Sequence, residues 1–350
     1  MISFLRKNFF VLALFILIIE LVKSNVTLVN DYYYPYVYVP ISNVLFFLFG
    51  KIPFSVGDIL YIVLPVYIKI KLKNSNTRRK NFTFIFKTFA ILYILFQFQW
   101  GINYHKSNLI NKLYTIEKYD LKQLKEVTKL FVDQTNIIHN KLSKSDTLPA
   151  NLDYDNELVF NESVKGINSL KFNDFIAIPD YIKIKKSLFS TPLSYMGFSG
   201  YINPFTLEAQ INSKVPKLFM PVITSHEISH LMGYAKENEA NFIGILSSVN
   251  SKNLFLSYSG NIQALRYLIN EIRKADKKES QKIIQKINKG VLKNIEKAEK
   301  KLKKYSNPVE PYLKEVYGLY LKANNQKDGI QSYNQVVNLL VGYYSNRWFL

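Results

Sequence analysis

The sequence predicts a multi-pass α-helical membrane region followed by a mainly α (α+β) domain. A small edge-strand hairpin is expected ahead of a histidine-bearing helix in that domain. Three observations carry this. Three long apolar segments fall within the first 104 residues. From about residue 105 onward, apolar residues recur at helical spacing. A stretch punctuated by Gly, Asn and Pro, 200–212, then precedes "HEISH" at 226–230.

The apolar segments are "NFFVLALFILIIELV" (8–22), "FSVGDILYIVLPVYIKI" (54–70) and "FTFIFKTFAILYILFQFQW" (82–100). Each is near the length that crosses the hydrocarbon layer, the second only marginally. The first resembles a cleavable signal peptide, but no small-residue cleavage site follows it. Lys69, Lys71, Lys73, Arg78, Arg79, Lys80 and Lys87 crowd the link between the second and third segments, whereas the first link carries chiefly Lys23 and Lys51. Basic links stay cytoplasmic. With Arg6 and Lys7 also inside, everything after Trp100 is expected on the outer face of the cytoplasmic membrane. "YVYVPISNVLFFLFG" (36–50) is apolar but short, and reads as interfacial or re-entrant.

Residues 105–350 form the expected extracytoplasmic domain. Helical patterns occupy 119–142, 156–170 and 260–275, and a lysine-rich helical stretch runs from 277 to 304. The net charge of +20 suits an anionic membrane surface or a solvated helical arm; no nucleic-acid partner is expected. The absence of cysteine excludes disulfides, thiol nucleophiles and thiolate metal sites.

"TSHEISHLMGYAKENEAN" (224–241) carries the chemistry. On a helix, His226 and His230 stand about 40° apart on one face, where two imidazoles can hold one zinc ion. Glu227 sits beside the metal position, placed to take a proton from zinc-bound water. Pro221 suits a first turn, and Gly233 should end the helix. A second helix is expected at "KENEANFIGILSS". Catalytic zinc needs a third protein ligand and an open position. Glu237 and Glu239 are the nearest carboxylates, and His105 and His139 the only other imidazoles. A donor for a developing oxyanion is also expected, with Tyr201, Tyr258 and Tyr333 as candidates. Glu208, in the strand, is a candidate to bind a substrate amine or to cap a turn.

"HExxH" followed by "ExxA" resembles the gluzincins, the glutamate-type zinc peptidases. The resemblance implies a zincin-like metallopeptidase domain, with Glu237 as third ligand and Asn241 orienting a zinc histidine where Asp is usual. Glu239 would point away from the metal. Together with "PFSVGDILY" (53–61), "WGINY" (100–104) and "GYINPFT" (200–206), the three spans and the histidines resemble an uncharacterised bacterial family of three-span membrane proteins. The implied activity is zinc-dependent hydrolysis of peptide bonds, with one Zn²⁺ per chain, the lipid bilayer as surroundings and an unidentified peptide or protein as substrate. The alternative is a catalytically inactive zincin-like binding or sensor module of the cell envelope.

Overall fold

A computed structural model of the chain describes residues 2–75, 77–111, 113, 119–170, 176–326 and 333–348; the side chains of Arg6, Lys7 and Tyr333 lie outside what is described. The fold is mostly helical, with one small three-stranded sheet. Helices α1 (Ile2–Lys23), α3 (Val56–Lys73) and α4 (Arg78–Gln99) take in nearly all of the three apolar segments and run on into polar flanks. Among the described residues, α4 is the one helix long and apolar enough to cross a membrane. Large apolar side chains of all three point away from the protein, among them Phe10, Leu17, Ile62, Val63, Phe82 and Phe89.

Residues 36–49 are helical. A wide π-type segment, Leu28–Tyr38, leads into α2 (Val39–Phe49). Its tyrosines serve a helix almost two hundred residues away. Tyr34 Oη donates to the carbonyl of Met232 at 2.8 Å, and Tyr38 Oη to that of Leu231 at 3.1 Å. Carbonyls at a helix C-terminus have no partner within the helix, so a buried end needs such donors. The end they satisfy belongs to α8 (Met220–Leu231), which carries the histidines.

The sheet has the order β1 (Lys185–Lys186), β3 (Glu208–Ile211), β2 (Gly200–Asn203). β2 and β3 form the expected antiparallel hairpin, with Gly200 opposite Ile211 and Asn203 opposite Glu208, and β2 lies at an edge. The start of α3 is clamped to this sheet. Ser55 caps it through the N–H of Asp58, and the Glu208 carboxylate accepts from the N–H groups of Val56 and Gly57. A carboxylate at a helix N-terminus satisfies open donors and meets the positive end of the dipole. Glu208 also binds the Lys185 ammonium and the Thr206 hydroxyl. The question the sequence left open for Glu208 is thereby answered: it caps α3.

Helices α5 (Leu121–Ser143), α6 (Asn156–Asn168), α8, α9 (Glu237–Val249) and α10 (Leu254–Ala275) pack together, and their core continues into Tyr34, Tyr38, Trp100 and Tyr104. The lysine-rich stretch is two helices, α11 (Lys277–Ile284) and α12 (Lys289–Lys303). A short helix α7 (Ser190–Met196) precedes β2, and α13 (Glu310–Ala323) and α14 (Tyr333–Trp348) complete the chain.

Candidate metal centre

α8 begins with Pro221 in its first turn and stops at Met232; Gly233 follows with φ +79°, the left-handed conformation glycine adopts without strain. The reversal lets α9 start at Glu237 and cross α8 closely. At the crossing, a Cβ on Gly244 would stand 2.8 Å from the backbone nitrogen of His226, so only glycine lets the two helices meet there.

Three side chains converge. Nε2 of His226 and Nε2 of His230 are 3.1 Å apart. The Glu237 carboxylate lies 3.4 Å from the first and 3.9 Å from the second. Donor atoms bonded to one tetrahedral zinc ion are separated by about 3.3 Å, given bonds near 2 Å. Glu227 also belongs to the cluster: one ligand atom each of His226, Glu227 and His230 lie within 4.8 Å of one another. The buried Glu227 Oε2 has no hydrogen-bond partner.

The surroundings prepare the donors. Nδ1 of His230 meets the carbonyl of Tyr234 at 2.6 Å, and only a protonated Nδ1 can donate to a carbonyl. That tautomer leaves the Nε2 lone pair facing the cluster. The Trp100 ring stands edge-on to His230 with centroids 5.7 Å apart. Tyr317 Oη donates to Glu237 Oε1 at 2.7 Å. Asn241 lies beside the His226 ring and favours its charged form, yet its Nδ2 donates to the Glu237 carbonyl, and Nδ1 of His226 has no hydrogen-bond partner.

Burial pushes the Glu227 carboxyl up to about 8; the neighbouring Glu237 adds to this and His226 opposes it. Burial acts on Glu237 in the same sense but is outweighed by His226, His230 and Tyr317, which hold it down to about 2. Burial, with His226 beside it, lowers His230 to about 4. For His226, burial is overcome by the two carboxylates, which raise it. The four groups thus divide into an ionised carboxylate, a neutral imidazole, an imidazole whose proton affinity the carboxylates raise, and a carboxyl poised near neutrality.

The cluster opens into a cavity of about 860 Å³, lined by Glu227, both histidines, the hairpin at Gly200–Ile202, and side chains of α3, α4 and α13. A Cβ on Gly200 would lie 2.6 Å from Glu227 Oε1, so the edge strand passes directly against the base candidate.

Other expected residues lie elsewhere. Glu239 accepts from the N–H of Leu109 at 2.7 Å, turned from the cluster as expected. His139 Nε2 bonds the Leu148 carbonyl, and His105 sits near Glu20 and Lys23. The Tyr201 hydroxyl is held by Asp58 and Ser187, and that of the fully buried Tyr258 donates to Asn294. The Tyr333 side chain lies outside those described. Tyr317, eighty residues beyond Glu237, brings its hydroxyl to the cluster, and no spacing rule in the sequence singles it out. If the cluster holds zinc, Tyr317→Phe should weaken that binding about 10- to 100-fold, the usual cost of losing a ligand's outer partner. Competition against a chromogenic chelator would measure it; an unchanged affinity would remove Tyr317 from the site.

Fold and site together define a mostly helical protein with a buried His–Glu–His–Glu cluster at the foot of an apolar helix. The chain belongs to the family described as "Protein of unknown function (DUF3810)", which matches residues 33–341. No curated protein and no solved structure matches it.

Proposed function

We propose that this protein is a zinc-dependent metallopeptidase of the gluzincin kind, with a zincin-like domain anchored outside the cytoplasmic membrane by α1, α3 and α4. The observation that carries the reading is the convergence of two Nε2 atoms and the Glu237 carboxylate at near-tetrahedral separations, with Glu227 beside them. The donor set fits zinc: two imidazoles, one with its tautomer fixed by a carbonyl, and a carboxylate held ionised by its neighbours.

His226, His230 and Glu237 would hold the ion, which when bound supplies a Lewis acid and a water acidified toward neutral pH. Glu227 accepts a proton from the attacking water and delivers it to the leaving amine. A carboxyl pushed up to about 8 by burial suits both halves of that task. Tyr317 and Tyr234 keep Glu237 and His230 in orientation. The β2 edge offers backbone groups with which an extended peptide can pair alongside Glu227.

The membrane reading is supported by the outward-facing apolar side chains of α1, α3 and α4 and by the basic link between α3 and α4. The first test is zinc content of the purified, metal-supplied protein at neutral pH. About one ion per chain is expected; none would leave the inactive binding-module reading in the lead.

A further inference from the structure

α4 ends at Gln99, and the next residue, Trp100, packs its ring edge against His230. The metal cluster is therefore one side chain away from the end of an apolar helix. Phe96, one turn back inside α4, lines the same cavity, as does Tyr61 in the second turn of α3. The cavity wall thus includes residues of two helices that also carry outward-facing apolar side chains, among them Ile62, Val63, Phe82 and Phe89.

α13 closes the other side of this opening. Its inner face is committed to the site: Tyr317 holds Glu237 and packs on Phe198 with centroids 5.2 Å apart, and Tyr320 packs on Phe96 at 6.4 Å. Its outer face is apolar. Tyr312, Val316 and Leu319, with Val309 just before the helix, recur every three or four residues and are 57–69% exposed. Such a stripe beside the end of a spanning helix is the pattern of a segment lying in the membrane interface.

Arg266 lines a different stretch of the cavity, and several lysines stand behind that stretch. Arg266 is stacked over Phe219, a cavity residue, at 4.6 Å. Lys301 donates to the carbonyl of Val215, another lining residue, and is crowded by Lys214, Lys217 and Lys304. Lys217 is paired with Asp153 at 3.6 Å and Arg266 with Glu299 at 3.9 Å; the ammonium groups of Lys214, Lys301 and Lys304 repel one another, and a further anionic group beside them would relieve this.

We propose that the cleft takes the juxtamembrane stretch of a membrane-anchored polypeptide, entering sideways from the outer face of the bilayer beside α13, apolar where it leaves the membrane and acidic where it meets Arg266 and Lys301. The inference rests on the peptidase reading for its chemistry, but not for its geometry. The apolar mouth matches a segment just emerging from lipid. The lysine cluster matches an acidic flank by charge, which steers and registers a peptide more than it tightens it.

The geometric part is tested without turnover. Trp348 is the other tryptophan in the chain, so full-length Trp348→Phe protein reports on Trp100 alone. It is reconstituted into vesicles of phosphatidylcholine brominated either near the headgroup or near the chain end. The expected result is loss of Trp100 emission with the shallow bromines and a smaller loss with the deep ones. No loss with either overturns the proposal, whatever becomes of the peptidase reading. The chemical part uses two peptide libraries of the same randomised stretch, one joined to a transmembrane helix and one free. Cleavage by the zinc-loaded protein is read by mass spectrometry against Glu227→Gln. Anchored peptides should be cut at least about tenfold faster, because anchoring confines them to the plane of the cleft. Equal rates would overturn the substrate class and leave the peptidase standing; cleavage of neither library would overturn both. Within the anchored library, Lys in place of Glu in the flank should slow cleavage, and indifference would overturn the acidic half of the proposal.

Discussion

Glu227→Gln protein is expected to keep about one zinc ion per chain and to lose peptide hydrolysis by about 10²- to 10⁴-fold, the range a positioned general base supplies. Glu237→Ala is expected to fail earlier, with zinc content falling well below one per chain. The contrast follows from where the two carboxylates stand. Glu237 faces both Nε2 atoms and is held ionised by three neighbours, so its removal takes away a donor. Glu227 lies beside the pair, buried and without a partner for Oε2, and an amide of the same shape fills the space but takes no proton. Zinc analysis of the two purified variants, followed by cleavage assays on the anchored library, separates the roles. A Glu227→Gln protein that cleaves like wild type would end the general-base assignment; a Glu237→Ala protein with full zinc would remove Glu237 from the ligand set.

Much of this site was legible in a single sequence because its parts are local. "HEISH" fixes two side chains on one helical face, Gly233 ends the helix in a conformation that favours glycine, and Glu237 opens the next helix within one tight reversal. The hairpin at 200–212 was legible through alternation and turn residues. What pairs with these parts was not. Tyr34 and Tyr38 reach the end of α8 from almost two hundred residues upstream, and Tyr317 reaches Glu237 from eighty downstream. Among 25 tyrosines, neither period nor spacing marks which hydroxyl turns inward. Tyr201 had the right strand, but its hydroxyl belongs to Asp58 at the start of α3. Asn241 lies on α9 beside His226, but its amide donates to the Glu237 carbonyl. The small sheet, the break inside the lysine-rich stretch and the helical path of residues 36–49 are likewise outcomes of tertiary packing.

The clamp between α3 and the sheet carries the largest expected effect on stability. Lys185 and Glu208 form an ion pair whose side chains are 1% and 2% exposed. Burial lowers the Lys185 ammonium, and Glu208 is the group that opposes this. Glu208→Ala would strand that ammonium and also free the N–H groups of Val56 and Gly57 at a buried helix start. Removing one member of a buried pair costs about 3–5 kcal/mol, since the remaining charge has no compensation. The variant should therefore unfold at a clearly lower temperature in detergent, with α3 released from the hairpin. Replacing both members, Lys185→Met with Glu208→Leu, should recover a large part of the loss, because no isolated charge is left behind, though the open N–H groups of α3 remain uncapped. Thermal unfolding of the three proteins decides between a charge effect and a packing effect. If the double variant is no more stable than Glu208→Ala, the cost lies in the lost cap of α3. If Glu208→Ala melts like wild type, the clamp contributes nothing and the hairpin is held by its core side chains alone.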